Sequence, residues 1–202
     1  MRIRSLMIKD PITVSDRTSV QEGIRIMQEN SIRHLPVVNH SKELLGWATL
    51  SDMKQGLLPA VVTGLSLADL MVRDPITINP DDDVETAAQI IFERKIGGMP
   101  VVDGNNKVTG VITVTDILGA FIRIMGILTS GSRLDVNVGN EPKAFDKVST
   151  IIHEQGGEII SVGIAPDTEV GKVYYFRLKE CPVKPIVQAL QHRGYEVLSF
   201  SK

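Results

Sequence analysis

The 202-residue chain is 43% hydrophobic and 23% charged, with a formal net charge of −2. This is the composition of a folded globular protein, and its balanced charge excludes the electrostatic footprint of a nucleic-acid or anionic-membrane binder. Cys181 is the one cysteine, which excludes an intrachain disulfide. Met1–Leu6 carries two arginines but no apolar stretch follows, because Lys9-Asp10-Pro11 interrupts at once. With no apolar run of about 18 residues either, the expectation is a cytoplasmic protein without a membrane span.

The chain repeats itself. Met7–Gly56 aligns without a gap on Met71–Ala120 at an offset of 64 residues, as from Gly46 to Gly110. Met7, Asp10, Pro11, Ile12 and Thr13 recur as Met71, Asp74, Pro75, Ile76 and Thr77. In chain order, each copy opens on an extended piece at Ile12–Val14 or Ile76–Ile78. Thr18 with Gln21, and Asp82 with Glu85, then have the spacing of a capping box. Behind these starts, Val20, Ile24 and Met27 share a helical face, as do Val84, Ala88 and Ile91. Strands at Leu35–Val38 and Met99–Val102 follow, and turn-rich Asn39–Lys42 and Asp103–Lys107 lead into a second strand of a hairpin. That strand lies in Gly46-Trp47-Ala48-Thr49-Leu50-Ser51-Asp52 and in Gly110-Val111-Ile112-Thr113-Val114-Thr115-Asp116. A helix begins at each aspartate, and in the second copy it is long and apolar, Ile117–Leu128, with Phe121, Ile124 and Leu128 on one face. Leu57–Ser66 reads as a linker, and so does Thr129-Ser130-Gly131-Ser132.

From Arg133 the pattern changes. Leu134–Val138 alternates as a strand, and a helix burying Phe145, Val148 and Ile152 stops at Gly156-Gly157. Ile159–Ile164 and Val173–Leu178 are strands either side of a loop at Pro166–Gly171. Pro185 fits the first turn of a helix closed by Gly194, and Tyr195–Phe200 is a last strand. The order βαββαβ is that of a ferredoxin-like unit.

The two heptapeptides resemble the Gly-hydrophobic-x-Ser/Thr-x-x-Asp ending of a CBS repeat, and the pair is similar to a tandem CBS (Bateman) module. The segment from Arg133 resembles an ACT domain, and the combination resembles acetoin-utilisation AcuB-type proteins. The expected architecture is therefore α/β (α+β): CBS repeats at 1–64 and 65–128, with small sheets, then a ferredoxin-like ACT domain at 133–202. The resemblance implies an adenosine-containing ligand, AMP, ADP, ATP or S-adenosylmethionine, in two clefts. It implies that Asp52 and Asp116 accept hydrogen bonds from ribose hydroxyls, as an acceptor-only carboxylate suits a diol. It places Thr49, Ser51, Thr113 and Thr115 beside the phosphate path at a helix start. Ile12, Thr13, Ile76 and Thr77 match adenine contacts. Arg33-His34-Leu35-Pro36 and Gly97-Gly98-Met99-Pro100 match the opposite walls. Arg33 and His34 stand where the second copy has Gly97 and Gly98, so the Asp52 cleft is expected to favour phosphate more than the Asp116 cleft does. In the ACT-like part, Val138, Gly139 and Asn140 form the loop where the resemblance places amino-acid binding, although Asn137 and Val138 occupy the place of its usual acidic residue. The resemblance also implies a homodimer.

Plainer readings stand beside these. Asp52 and Asp116 also fit as helix caps, Thr13 and Thr77 as strand formers, Arg33-His34 as a solvated helix end, and Trp47 as core. Tyr174 and Phe176 share a strand face where RNA-recognition domains stack bases, but the first strand offers no matching aromatic. His153-Glu154 lacks the second histidine of a zinc helix, Gly104–Gly110 lacks the Lys-Ser/Thr of a phosphate loop, and no nucleophile elbow or dinucleotide fingerprint is present. The reading is thus non-enzymatic: a regulatory nucleotide sensor without a required cofactor or metal. The alternative is a dimerisation adaptor with vestigial sites that binds a partner enzyme.

Overall fold

The computed structural model describes residues 1–56, 64–129, 131–139, 142–168 and 171–201. Of the expected linker at Leu57–Ser66, residues 57–63 lie outside these. The chain divides into two compact units, Met1–Leu118 and Gly119–Lys202. Both mix helices with small antiparallel sheets.

The first unit contains both copies of the repeat. After a 3-10 turn at Ile3–Ser5 come β1 (Ile8–Lys9), α1 (Val20–Glu29), β2 (His34–Val38), β3 (Leu44–Thr49) and α2 (Leu50–Gly56). The second copy follows with α3 (Leu67–Leu70), β4 (Val72–Arg73), α4 (Val84–Arg94), β5 (Gly98–Val102), β6 (Val108–Thr113) and α5 (Val114–Ile124). The helix starts fall one residue later than the capping-box spacing predicts. Ser19, not Thr18, caps α1 by accepting the Glu22 N–H at 3.2 Å. Asp83 precedes α4 without a side-chain cap bond, because the N-terminal segment docks there: the Met1 carbonyl accepts the Val84 N–H at 2.9 Å. On α4 it is Ala87, not Ala88, that is fully buried between Val84 and Ile91. The pieces at Ile12–Val14 and Ile76–Ile78 contribute one parallel bridge each, Val14 to Val37 and Ile78 to Val101.

Each small sheet is completed by the other copy. The first has the order β2-β3-β4, and the second β1-β6-β5. Thus β1, from the start of copy one, pairs antiparallel with β6 of copy two through Ile8 opposite Val111 and Lys9 opposite Gly110. Reciprocally, β4 pairs with β3 through Trp47 opposite Val72 and Gly46 opposite Arg73. The repeated glycines admit this crossing. A Cβ on Gly110 would lie 2.6 Å from the Met7 sulfur and 3.0 Å from the Ile8 carbonyl oxygen; on Gly46, 2.4 Å from the Met71 sulfur and 3.0 Å from the Val72 carbonyl oxygen. There are two cores, and each takes a residue from the other copy: Met27, Leu35 and Met53 pack with Leu67 of the second copy, and Ile91, Met99 and Ile112 with Ile3 of the first.

The second unit begins inside α5. Its sheet has the order β10-β7-β9-β8, all antiparallel, from β7 (Gly131–Gly139), β8 (Ile159–Thr168), β9 (Gly171–Lys179) and β10 (Glu196–Ser201). Between them come α6 (Ala144–Glu154) after β7 and α7 (Val183–His192) after β9. In two stretches expected as loops, the described residues continue the strands. Gly131 and Ser132 already pair in β7, and β8 and β9 remain paired as far as Thr168 opposite Gly171. The core sets Leu134, Phe176 and Leu178 against Val148, Ile152, Ile186 and Leu190. Phe145, expected inside, is 39% exposed, while Ala144 and Ile151 are buried. Tyr174 packs on this core and Phe176 is within it, both beside Phe145 of α6, so this face is no open stacking platform. No helix among the described residues is long and apolar enough to cross a membrane.

Candidate ligand clefts

The repeated aspartates sit at the third position of their helices, not at the cap. Thr49 is the residue before α2, and its hydroxyl donates to Asp52 Oδ2 at 2.7 Å while accepting the Asp52 N–H at 3.2 Å. In the second copy the Thr113 hydroxyl and main-chain N–H donate to Asp116 Oδ2 at 2.6 and 2.8 Å. This reciprocal cap explains why a threonine stands three residues before each aspartate, without invoking a ligand. It occupies Oδ2; Oδ1 of each carboxylate takes no bond among the described hydrogen bonds, so acceptor capacity remains on half-buried groups.

Because the strands cross, so do the clefts. A cavity of about 350 Å3 is lined by Thr113, Thr115 and Asp116 of the second copy and by Asp10, Ile12 and Arg33 of the first. A larger one, about 970 Å3, sets Thr49, Ser51 and Asp52 of the first copy against Asp74, Ile76 and Gly98 of the second. Both volumes lie within the range of small-molecule sites. The expected division of walls by copy is therefore corrected: β1 delivers Ile12 to the Asp116 cleft, and β4 delivers Ile76 to the Asp52 cleft. Asp10 and Asp74 hold φ of +46° and +50° immediately before prolines, an uncommon backbone state found here at both clefts.

His34 lies where the clefts meet. It lines both, as do Arg33 and Thr115. Its imidazole stacks on Trp47, with centroids 5.3 Å apart and planes at 21°. Gly97 leaves it room, since a Cβ there would come within 2.9 Å of His34 Nε2. Burial, with the neighbouring Arg33 charge second, pushes the His34 pKa below its ordinary 6.5 against the opposing pull of Asp52. Trp47 is 5% exposed, a core residue whose edge reaches the Asp52 cleft.

A family model described as the CBS domain matches residues 3–58 and again 67–123. The chain belongs to the CBS-domain family. The CBS domain pair of protein MJ0100, solved in complex with 5'-methylthioadenosine and S-adenosyl-L-methionine, matches at TM-score 0.56 and 30% identity over 60% of this chain and 95% of that one. A Vibrio cholerae protein assigned to acetoin utilization (AcuB) shares the fold at TM-score 0.57 and 23% identity, over 63% of this chain and 95% of that one. Inosine-5'-monophosphate dehydrogenase of Korarchaeum cryptofilum is 31% identical over 150 residues, 74% of this chain and 30% of that protein. The chain spans less than a third of the length of the first curated relatives it matches.

Within the CBS pair, the other residues singled out in the sequence stand back from the cavities. Pro36, Met99 and Pro100 are buried in β2 and β5, and Thr13 and Thr77 are half-buried; none of these five is among the lining residues of either cleft. Lining residues that sequence reasoning passed over include Asp10, Asp74, Ser31, Lys54 and Lys95. The Asp-Pro recurrence was a visible signal for the first two; the lysines had none, because they occur in one copy only. In the second unit Val138 is buried in the core, and Gly139 turns with φ of +55°. Asn140 lies outside the described residues.

Proposed function

We propose that this chain is a regulatory, non-catalytic sensor of adenosine-containing ligands, with one ligand in each crossed cleft. The observation that carries it is the convergence, twice, of a Thr-x-x-Asp turn with an apolar Ile and an Asp-Pro turn from the opposite copy. Asp52 takes the ribose hydroxyls on Oδ1 in the cleft where Ile76 contacts the base, and Asp116 does so in the cleft where Ile12 contacts it. A charge-assisted hydrogen bond of this kind contributes roughly 1.5–3 kcal/mol, against about 8 kcal/mol for a micromolar site. The ligand-bound MJ0100 pair supports adenosyl compounds as the ligand class. Because each ligand touches both copies, binding shifts whichever module conformation holds both walls in place, to the extent of its differential affinity.

We read the second unit as an ACT domain, supported by its βαββαβ order and β10-β7-β9-β8 sheet. The protein is then a cytoplasmic homodimer, for which the exposed apolar side chains Leu118, Phe121 and Ile124 on α5 provide surface. A second reading, an adaptor with vestigial sites, is favoured by one observation: the Thr49–Asp52 and Thr113–Asp116 caps are complete without a ligand. Calorimetry on nucleotide-free protein with AMP, ATP and S-adenosylmethionine separates the two. The sensor reading expects saturable binding of at least one of them, with one equivalent per cleft and both clefts filled across the three ligands together; absence of heat with all three selects the adaptor.

A further inference from the structure

The two clefts differ in the charge they present. Arg33 lines both, so it does not discriminate between them. The Asp52 cleft adds Lys54 and Lys95, which with Arg33 face Asp52 and Asp74. The Asp116 cleft adds no further cation, and Arg33 there faces Asp10 and Asp116. The difference falls at matched positions of the repeat. Lys95 ends α4 with φ of +56°, as Ser31 follows α1 with φ of +53°, and Lys54 on α2 corresponds to Leu118 on α5. The Lys95 ammonium rests 5.1 Å from the centroid of the exposed Phe92 ring, a contact open to exchange for a phosphate.

Building on the sensor reading above, we propose that the clefts are sorted by ligand charge. Lys54 and Lys95 make the Asp52 cleft a site for adenosine di- and triphosphates, whereas the acidic Asp116 cleft takes adenosine derivatives that carry no phosphate and have neutral or positive substituents. The preference for phosphate at the Asp52 cleft thus comes from the two lysines, not from Arg33. Ammonium groups bind phosphate as mobile point charges, which suits a rim position and a flexible polyphosphate.

Calorimetry on the full chain tests this with adenosine, ATP and S-adenosylmethionine as probes. Asp116→Ala isolates the Asp52 cleft and Asp52→Ala the Asp116 cleft. In the Asp116→Ala protein ATP should bind at least tenfold tighter than adenosine, and raising ionic strength should erode that advantage. Lys54→Gln with Lys95→Gln should reduce the advantage to within threefold, leaving adenosine affinity unchanged. In the Asp52→Ala protein ATP should bind no tighter than adenosine, with S-adenosylmethionine the tightest of the three. Ser31→Lys with Leu118→Lys in that background should then create an ATP preference. An ATP advantage that survives the glutamines, or that is equal in both clefts, overturns the sorting while leaving the sensor reading intact. Failure of all three probes at either cleft overturns both.

Discussion

His34 is held between an indole and a glycine at the junction of two clefts, and its protonation is coupled to folding. The folded state favours the neutral ring, so the unfolded chain takes up a proton first as pH falls. Stability is therefore full above the ordinary pKa near 6.5 and declines as pH falls through the lower folded value. The urea midpoint of the wild type should fall across that window, and His34→Gln should flatten the decline. An equal slope in both proteins would remove His34 as its source. At the same scale, Asp52 and Asp116 have two duties that separate by atom. Oδ2 closes the helix start on its threonine, and under the sensor proposal Oδ1 receives the ligand. Loss of such a cap costs about 1 kcal/mol, so a binding defect in Asp→Ala variants has to be read beside their stability.

At the scale of elements, the crossing of β1 and β4 organises the first unit. It depends on Gly46 and Gly110, where no side chain fits against the incoming strand. Gly110→Ala drives a Cβ toward a backbone carbonyl and should destabilise the protein by about 1–3 kcal/mol. Gly119→Ala, inside α5 with only the end of Arg123 at 3.7 Å, should stabilise it by about 0.5–1 kcal/mol. The two substitutions are chemically identical, so opposite shifts in urea midpoint report the environment alone; shifts of the same sign would contradict the crossing. Much of the element order was legible because Val20, Met27, Leu35 and their counterparts repeat at helical and strand periods. The crossing was not. Pairing between Ile8 and Val111 leaves no periodic trace, and two-residue strands carry too little pattern to be seen. The glycines of the heptapeptides stand out in the sequence only as part of the recurring motif, while in the fold they admit Met7 and Met71. Gly131-Ser132 and Pro166–Gly171 misled for a related reason: turn-type composition yields to strand pairing wherever a neighbour is available.

At the scale of the whole molecule, a duplicated sequence has produced two clefts that each need both copies. Neither copy alone holds a complete site, because the aspartate and the isoleucine of one cleft come from opposite halves of the repeat. The sequence made the residue types of the clefts readable: Ile12, Arg33, Ser51, Asp52, Ile76, Gly98, Thr115 and Asp116 all line a cavity. Their partnering was hidden, since an internal repeat invites the assumption that matched motifs close on themselves. Under the sensor proposal, a ligand spanning both copies would let the pair respond as a unit, because stabilising either cleft fixes the same crossed strands.

The decisive measurement is ligand stoichiometry in double variants, by calorimetry with ATP on nucleotide-free protein. Ile12→Glu with Asp116→Ala strikes one crossed cleft twice and should leave one equivalent bound at wild-type affinity. Ile12→Glu with Asp52→Ala strikes both clefts and should leave none. The reverse result, one equivalent retained in the second variant and none in the first, would contradict the crossed architecture of the sites.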